Sequence, residues 1–194
     1  MKQKVSDYIA DRLAQEGISQ VFTVTGGGAM HLNDSLGHHP GLSCLYHHHE
    51  QAAAMAAEAY ARVDNRMAAV CVTSGPGATN AITGALCAWM DSIPMLILSG
   101  QVRYDTTVRH SGLKIRTMGV QEYDITPSVE PMTKYAVMVT DPLTIRYHLE
   151  RAIYLAKTGR PGPCWLDLPL NVQSAVVETD DLKAYDPSED AKEL

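Results

Sequence analysis

The sequence predicts an α/β fold with three layers, in which a mostly parallel sheet carries helices on both faces. Apolar runs of strand length alternate with helical patterns along the 194 residues. The runs, such as "MAAVCV" and "IPMLIL", are continuously apolar rather than alternating in polarity. Continuous apolar strands are typical of parallel sheets that are buried on both faces, and the intervening helices supply the covering layers.

The first half of the chain follows this alternation. Val5, Ile9 and Leu13 recur at helical spacing, and Gly17 ends that helix. A strand in "QVFTVT" leads into a glycine turn and a further helix. The next predicted elements are a strand in "GLSCLY", a helix in "EQAAAMAAEAYARV", a strand in "MAAVCV", a helix in "GATNAITGALCAWMDS" and a strand in "IPMLILSG".

The second half is less regular. Residues 101–133 are predicted to be irregular, with one short helix near "VQEYDI". A strand in "KYAVMV", a helix in "DPLTIRYHLERAIYLAKTG" capped by Asp141, and a strand in "GPCWLDLP" follow. Residues 178–194 carry seven acidic residues against two lysines. We therefore predict a domain of residues 1–177, followed by an acidic linker of residues 178–194 toward a missing middle domain.

Composition excludes several classes of function. The net charge of −6 is concentrated in the acidic final segment, and no basic patch suggests a nucleic-acid partner. No apolar run reaches membrane-spanning length, and the first residues do not resemble a signal peptide. The four cysteines lie far apart without paired spacing, which predicts reduced thiols and a cytoplasmic protein.

Ligands of parallel α/β sheets bind beyond the carboxyl ends of the strands, so the strand exits are the candidate sites. "TGGGAM" (25–30) departs from the dinucleotide and P-loop patterns, and is either a ligand-approach turn or only a tight strand–helix turn. "TSGPGATN" (73–80) predicts a rigid turn after a buried strand, with Asn80 in the first turn of the next helix. A purely structural turn stays open there too.

The run of three histidines before Glu50 (47–50) invites a metal-site or tag interpretation. Adjacent histidines in an extended segment point to alternate sides, and no second cluster has ligand spacing, so no metal site is predicted. The run is internal, which argues against a tag. Glu50 begins a helix of small residues, where the helix dipole favours a carboxylate and close packing implies a buried helix. A carboxylate at a strand exit suits proton transfer, so Glu50 is the candidate functional residue.

Four stretches of the chain resemble the pyrimidine-binding (PYR) domain of thiamine diphosphate enzymes, and most of all the large subunits of acetolactate synthase (acetohydroxyacid synthase). They are "HHEQAAAMAAEAYAR", "TSGPGATNAITGALCAWMDSIPMLILSGQV", "QEYDITPSVEPMTKYAVMV" and "RPGPCWLDLPLNV". The resemblance runs from about residue 3 to residue 177 and implies the thiamine diphosphate-binding fold. In that family a glutamate in the first stretch hydrogen-bonds N1′ of the cofactor's aminopyrimidine, which helps the cofactor to lose its thiazolium C2 proton and attack a 2-keto acid.

The resemblance assigns roles to individual positions of this chain. It implies that Glu50 and Gln121 are catalytic. The implied cofactor-binding positions are Thr25, Gly27, Gly28, Glu50, Pro76 and Asn80. His49 and Lys134 match positions along the substrate channel.

The chain also departs from the family pattern. Val120 stands where an aromatic residue often precedes the glutamine, Gly26 replaces a proline, and Leu170 and Asn171 replace Lys-Asp. The family's motif for Mg²⁺ and the diphosphate, Gly-Asp-Gly followed by Asn, is not in the sequence. That site is therefore expected in a missing domain, and the resemblance leaves open whether a longer protein also binds FAD. We expect a piece of a longer enzyme rather than the PYR subunit of a split one.

Three functions remain after the resemblance is taken into account. The first is the pyrimidine-binding half of a 2-keto-acid decarboxylating carboligase of the acetolactate synthase type. The second is another thiamine diphosphate enzyme, either a 2-keto-acid decarboxylase or a carboligase of cell-envelope synthesis, and Val120 bears on this choice. The third is a non-catalytic PYR-domain subunit, against which Glu50 argues. The implied partners are a 2-keto acid and the pyrophosphate-binding domain of a second subunit, in a homodimer or homotetramer.

Overall fold

The computed structural model describes residues 1–64 and 66–190, and its centre is a six-stranded parallel sheet. The strands of the described chain are β1 (Lys2–Lys4), β2 (Gln20–Thr23), β3 (Ser43–Tyr46), β4 (Ala68–Val72), β5 (Met95–Gln101), β6 (Tyr135–Met138), β7 (Pro163–Pro169) and β8 (Val176–Glu178). The sheet has the order β3-β2-β4-β5-β7-β6, and each neighbouring pair is parallel. The first and last strands, β1 and β8, form a separate antiparallel ribbon.

Helices fill the connections between the strands. They are α1 (Val5–Gln15), α2 (Met30–His38), α3 (Glu50–Asp64), α4 (Pro76–Asn80), α5 (Ile82–Asp91), α6 (Val108–Ser111), α7 (Thr126–Val129), α8 (Ile145–Lys157) and α9 (Leu170–Gln173). The order of strands and helices confirms the α/β prediction.

Alternate side chains of the strands pack into two separate cores, one on each face of the sheet. Leu96 and Leu98 of β5 lie in the core that α1, α2 and α8 cover. Met95 and Ile97 of the same strand lie in the core that α3 and α5 cover. Since side chains alternate across a strand, both faces of the sheet are buried, which confirms the predicted three layers.

The alanine-rich helix α3 is buried along one face only. Ala53, Ala54 and Ala57 are fully buried, whereas Met55 and Val63 on the other face are exposed. The small residues bring α3 close to α5, where a Cβ added at Gly84 would come within 2.5 Å of the Cβ of Ala54. The small side chains thus serve helix–helix contact, and the helix expected to be buried is buried along this one face.

The chain order of the strands creates a topological switch point at β2. The connection from β2 leads to β3 on one side, and the chain then returns to place β4 on the other side of β2. The exits of neighbouring strands diverge at such a point and leave a crevice in which ligands bind. The predicted turns of residues 25–30 and 73–80 follow β2 and β4 and therefore lie next to each other at this switch point.

Two local predictions required correction. The single helix predicted after Gly-Pro-Gly is divided into α4 and α5 at Ala81. The short helix predicted near "VQEYDI" is absent from the described structure, and α7 begins later, at Thr126. Gln121 adopts a left-handed conformation with φ of 58°, which does not continue a right-handed helix. Asp141 does accept a hydrogen bond from the backbone of Leu143 at 2.9 Å, so the predicted cap before α8 is confirmed.

The acidic final segment lies against the domain. Strand β8 pairs with β1, and Leu182 and Tyr185 are buried. Arg151 of α8 holds both carboxylate oxygens of Asp190, at 2.8 and 2.6 Å. The role of residues 178–194 as a linker to a further domain stays a prediction, and residues 191–194 lie outside the described part of the chain. Among the described helices, none is both long and apolar enough to cross a membrane.

Candidate functional site

Glu50 lies at the exit of β3 as the first residue of α3, and its side chain is half-buried. Asn80 of α4 donates a hydrogen bond from Nδ2 to Glu50 Oε2 at 2.9 Å. The other oxygen, Oε1, faces Gly77, where an added Cβ would be 3.3 Å away. Within residues 1–64 and 66–190, Asn80 is the only donor to this carboxylate, so Oε1 is free to bind a ligand group.

The glycine turn after β2 packs directly on the exit of β4. Thr73 Oγ1 accepts a hydrogen bond from the backbone of Gly28 at 3.0 Å. A Cβ at Gly28 would come within 2.7 Å of Ser74 Oγ, whereas a Cβ at Gly27 would meet no atom within 4 Å. Gly28 is thus required for packing between two strand exits. Gly27 and Thr25 are exposed beside it, where they can face a ligand.

Gln121 lies across the Gly-Pro-Gly turn. Both Gly75, with φ of 57°, and Gln121, with φ of 58°, have left-handed backbones. They are in close contact, because a Cβ added at Gly75 would overlap the carbonyl oxygen of Gln121. A cavity of about 320 Å³ lies between the turn and the facing segment, with Pro76 and Gln121 in its walls. The structure therefore brings Pro76 and Gln121 together in one cavity, while Glu50 and Asn80 meet beside Gly77 and are not among the residues that line it.

Sequence reasoning missed a buried polar network behind Gln121. Ser99 Oγ donates to Asp167 Oδ1 at 2.6 Å and accepts a hydrogen bond from Trp165 Nε1 at 2.8 Å. Gln101 Nε2 donates to Asp167 Oδ2 at 3.1 Å. Burial raises the pKa of Asp167 to about 7, although Ser99 and Gln101 oppose the shift. The available signal was polar residues inside the continuous apolar runs "MLILSGQ" and "PCWLDLP".

The histidine run has structural contacts of its own. His49 is exposed, and its Nδ1 accepts a hydrogen bond from the backbone of Gln51 at 3.1 Å, which caps the start of α3. The ring of His47 lies 5.9 Å from that of Phe22. In the part of the chain that the structure describes, no three His, Cys, Asp or Glu side chains converge as a metal-binding group. All four cysteines are free thiols.

Lys134 does not lie at this site. It immediately precedes β6, at the amino ends of the parallel strands, while Glu50 lies at their carboxyl ends. The Nζ of Lys134 donates to the carbonyl of Thr158, and its backbone N–H donates to Pro163 at 2.8 Å. Burial lowers the pKa of this lysine. The structure thus separates Lys134 from the other implied residues, and its assignment to the substrate channel stays a prediction.

The fold and the site together define an α/β cofactor-binding domain that presents a carboxylate and two glycine turns at the switch point of a parallel sheet. Comparison with known families identifies the kind of cofactor-binding domain. Residues 3–123 match the family described as "Thiamine pyrophosphate enzyme, N-terminal TPP binding domain", and the chain belongs to this family.

Curated relatives share this stretch of sequence. The chain is 38% identical over 164 residues to the acetolactate synthase large subunit of Haemophilus influenzae, which covers 84% of this chain and 27% of the relative. It is 37% identical over 172 residues to that of Lactococcus lactis, with 89% and 28% covered. For the acetolactate synthase isozyme 3 large subunit of Escherichia coli the identity is 38% over 167 residues, with 86% and 28% covered. The chain thus spans little more than a quarter of the length of these relatives.

Proposed function

We propose that this chain supplies the pyrimidine-binding half of a thiamine diphosphate site in an enzyme of the acetolactate synthase type. The observation that carries the proposal is the carboxylate of Glu50 at the switch point. Asn80 holds one of its oxygens at 2.9 Å, and the other faces the side-chain-free Gly77. A fixed carboxyl group with one free oxygen suits a ring nitrogen of an aminopyrimidine, from which its ionised form accepts a proton and to which its protonated form donates one.

The surrounding residues fit the flat pyrimidine. A Cβ at Gly77 would come within 2.7 Å of the Thr73 side chain and 3.3 Å of Glu50 Oε1, so glycine lets this turn lie close to the carboxylate. Pro76 offers an apolar surface at the cavity, and Thr25 and Gly27 are exposed on the facing turn. When bound, the cofactor supplies the electron sink for decarboxylation of a 2-keto acid. Glu50 would hold the proton at Oε1, Asn80 would keep that carboxylate oriented, and Gln121 would face the reacting groups from across the cavity.

The type of reaction is the finer part of the proposal. The relatives named acetolactate synthase support a carboligase that uses a 2-keto acid. Val120 precedes Gln121 and is 85% exposed, so this chain adds no aromatic wall at that position. That observation favours the second candidate, another thiamine diphosphate enzyme such as a 2-keto-acid decarboxylase or a cell-envelope carboligase. A non-catalytic subunit would have no use for the Asn80–Glu50 pair.

Partners are proposed from the exposed surface. Apolar side chains of α3 and α5 are exposed along one face, namely Met55, Val63, Leu86, Trp89 and Met90. Such a face suits contact with another domain or subunit, in keeping with a homodimer or homotetramer that brings the pyrophosphate-binding domain of a second subunit to this site. Mg²⁺ would bind with the diphosphate on that domain, and a cytoplasmic location and FAD elsewhere in a longer protein stay predictions.

The test is Glu50→Gln in the complete enzyme that contains this chain. Glutamine has nearly the same shape and keeps the contact with Asn80, but it cannot exchange a proton. We expect hydrogen exchange at C2 of bound thiamine diphosphate to fall by about 10²-fold or more, with little change in the unfolding temperature. Glu58→Gln is the matched control, because Glu58 lies on the same helix and pairs with Arg62 rather than with the site.

Two outcomes decide the proposal. Near-wild-type exchange in Glu50→Gln would remove the role assigned to Glu50. Separately, incubation of the wild-type enzyme with pyruvate distinguishes the reaction types, since acetolactate supports the first candidate and acetaldehyde supports the second.

A further inference from the structure

The side chain of Gln101 is completely engaged although it lies outside the candidate site. It is 1% exposed at the end of β5. Its Nε2 donates to the carbonyl of Tyr123 at 2.7 Å and to Asp167 Oδ2 at 3.1 Å, and its Oε1 accepts from the backbone of Val102 at 3.1 Å. Only one amide orientation satisfies these three contacts, because the flipped amide would place its oxygen against two acceptors.

Asp167, on the neighbouring strand β7, fixes the orientation of the Gln101 amide. Both of its oxygens are occupied, Oδ1 by Ser99 and Oδ2 by Gln101, and the carboxyl group is fully buried. A buried acceptor is costly to leave unpaired, so Asp167 holds the Gln101 amide in place. The second hydrogen of the same amide then points at the carbonyl of Tyr123.

This hydrogen bond is accepted by Tyr123, which belongs with Gln121 to the segment of residues 121–123. Its middle residue, Glu122, accepts from the backbone of Val108 at 2.6 Å, and from Met118 and Gly119 at 2.8 and 3.0 Å. Gln121 itself is exposed, and among the described residues no side chain donates a hydrogen bond to its backbone or side chain. Its left-handed backbone, unfavourable for a non-glycine residue, must therefore be maintained by its neighbours.

We propose that Gln101 is a positioning residue for the candidate site: its amide links the buried Asp167 to the carbonyl of Tyr123 and so holds Gln121 against the Gly75–Pro76 turn. The inference rests on the proposed function only for the role of Gln121. The hold on the segment is a property of this chain and is measurable without cofactor.

The first experiment is Gln101→Leu, studied by hydrogen–deuterium exchange of the whole chain. Leucine fills a similar volume but donates no hydrogen bond. Release of Tyr123 frees Glu122, so the backbone amides of Val108, Met118 and Gly119 should exchange about 10-fold faster. Gln101→Asn, whose shorter side chain cannot span both acceptors, should have the same local effect and replaces the leucine variant if that variant does not fold.

Gln173→Leu is the matched control. Gln173 is equally buried, and its Nε2 donates to the carbonyls of Gly28 and Leu168 at 2.7 and 2.6 Å. Its loss should speed exchange around Gly28 and leave the three amides that bind Glu122 unchanged. Equal exchange of those amides in both variants, or no change in Gln101→Leu, would overturn the proposal.

A pH titration distinguishes the hydrogen bond of Gln101 from its packing volume, because only loss of the hydrogen bond would change the ionisation of Asp167. The groups that face Asp167 are the donors Ser99 and Gln101, the Trp165 indole through Ser99, and the charges of Asp124 and its ion-pair partner Arg109. In a Trp89→Phe background, Trp165 fluorescence reports the ionisation of Asp167. Because Gln101 stabilises the ionised form, Gln101→Leu should move the midpoint to higher pH, and Gln173→Leu should not. An unchanged midpoint in Gln101→Leu would contradict the link.

The two proposals fail differently. If Gln101→Leu speeds exchange of the amides that bind Glu122 and also reduces turnover of the complete enzyme at unchanged cofactor affinity, both proposals are supported. Faster exchange with unchanged turnover supports the hold on the segment and removes the catalytic role of Gln121. Unchanged exchange overturns the positioning role and leaves the role of Glu50 intact.

Discussion

Asp167 is a carboxyl group in an apolar strand, and its burial controls how it titrates. It is fully buried, and among the described residues its side-chain oxygens are hydrogen-bonded only to Ser99 and Gln101. Desolvation raises its pKa to about 7. The folded chain therefore retains a proton on Asp167 over a pH range in which the unfolded chain has lost it.

This shift makes the stability pH-dependent. Since the folded pKa lies above the unfolded value of about 4, the contribution of Asp167 to stability is complete below about pH 4 and is lost as the pH rises through about 7. In Asp167→Asn this loss should be absent. Urea unfolding at several pH values should show the wild type losing stability relative to the variant between about pH 4 and pH 7.

Asp190 provides a control of opposite sign. Its hydrogen bonds from Arg151 hold its pKa below the usual range, so its contribution is present above the unfolded pKa and is lost on acidification. Asp190→Asn should therefore lose stability at neutral pH and lose less than the wild type on acidification. A parallel pH dependence of wild type and Asp167→Asn would contradict the burial argument.

At the level of elements, α8 holds the final segment as well as covering the sheet. Arg151 forms a bidentate pair with Asp190 and lies 4.6 Å from the centre of the Tyr135 ring. Tyr185 donates to the same carboxylate at 2.7 Å. Asp190 is 3% exposed, so removal of the arginine would leave a buried charge without its partner.

We expect Arg151→Leu to release residues 182–190 from α8. Limited trypsin digestion measures this directly, because Lys183 lies in the segment and its amino group contacts the Tyr147 ring at 4.8 Å. Cleavage after Lys183 should be at least about 10-fold faster in the variant, as expected for a broken buried pair. Arg103→Leu is the control, since Arg103 pairs with Asp105 on the exposed surface. Equal cleavage in both variants would show that the pair does not hold the segment.

For the whole molecule, the site is assembled from the ends of several strands. Glu50 follows β3, the glycine turn follows β2, Pro76 and Asn80 follow β4, and Gln121 reaches the site from the long connection after β5. These groups suit a pyrimidine. A diphosphate and its Mg²⁺ need cationic side chains and oxygen ligands for binding. Within residues 1–64 and 66–190, no group of metal ligands converges.

The chain alone should therefore bind thiamine diphosphate only weakly. Calorimetric titration should give a Kd no tighter than roughly millimolar, independent of Mg²⁺, because the most charged part of the cofactor lacks its partners. The remaining weak binding should be lost in Glu50→Gln. Tight binding that requires Mg²⁺ would show a complete site in this chain and would contradict the half-site proposal.

The sequence by itself determined the layered fold and the main candidate residue. Continuous apolar strands and intervening helices are local patterns, so they predicted the parallel sheet, now confirmed. Glu50 was identified because its position after a strand and at the start of a helix is also local. The helix near Gln121 was predicted wrongly, since the contact with Gly75 that accompanies its left-handed backbone is distant in sequence.

Only the tertiary structure decided which groups meet. Asn80 reaches Glu50 across 30 residues, and Gln101 reaches Asp167 across 66. Lys134 is close to neither pair, because it precedes β6 at the amino ends of the strands, whereas both pairs lie toward the carboxyl ends. The strand order β3-β2-β4 set the switch point, and pairing between strands depends on packing of both faces rather than on any one segment. For this reason the sequence could supply the carboxylate, and only the fold could supply the groups that orient it.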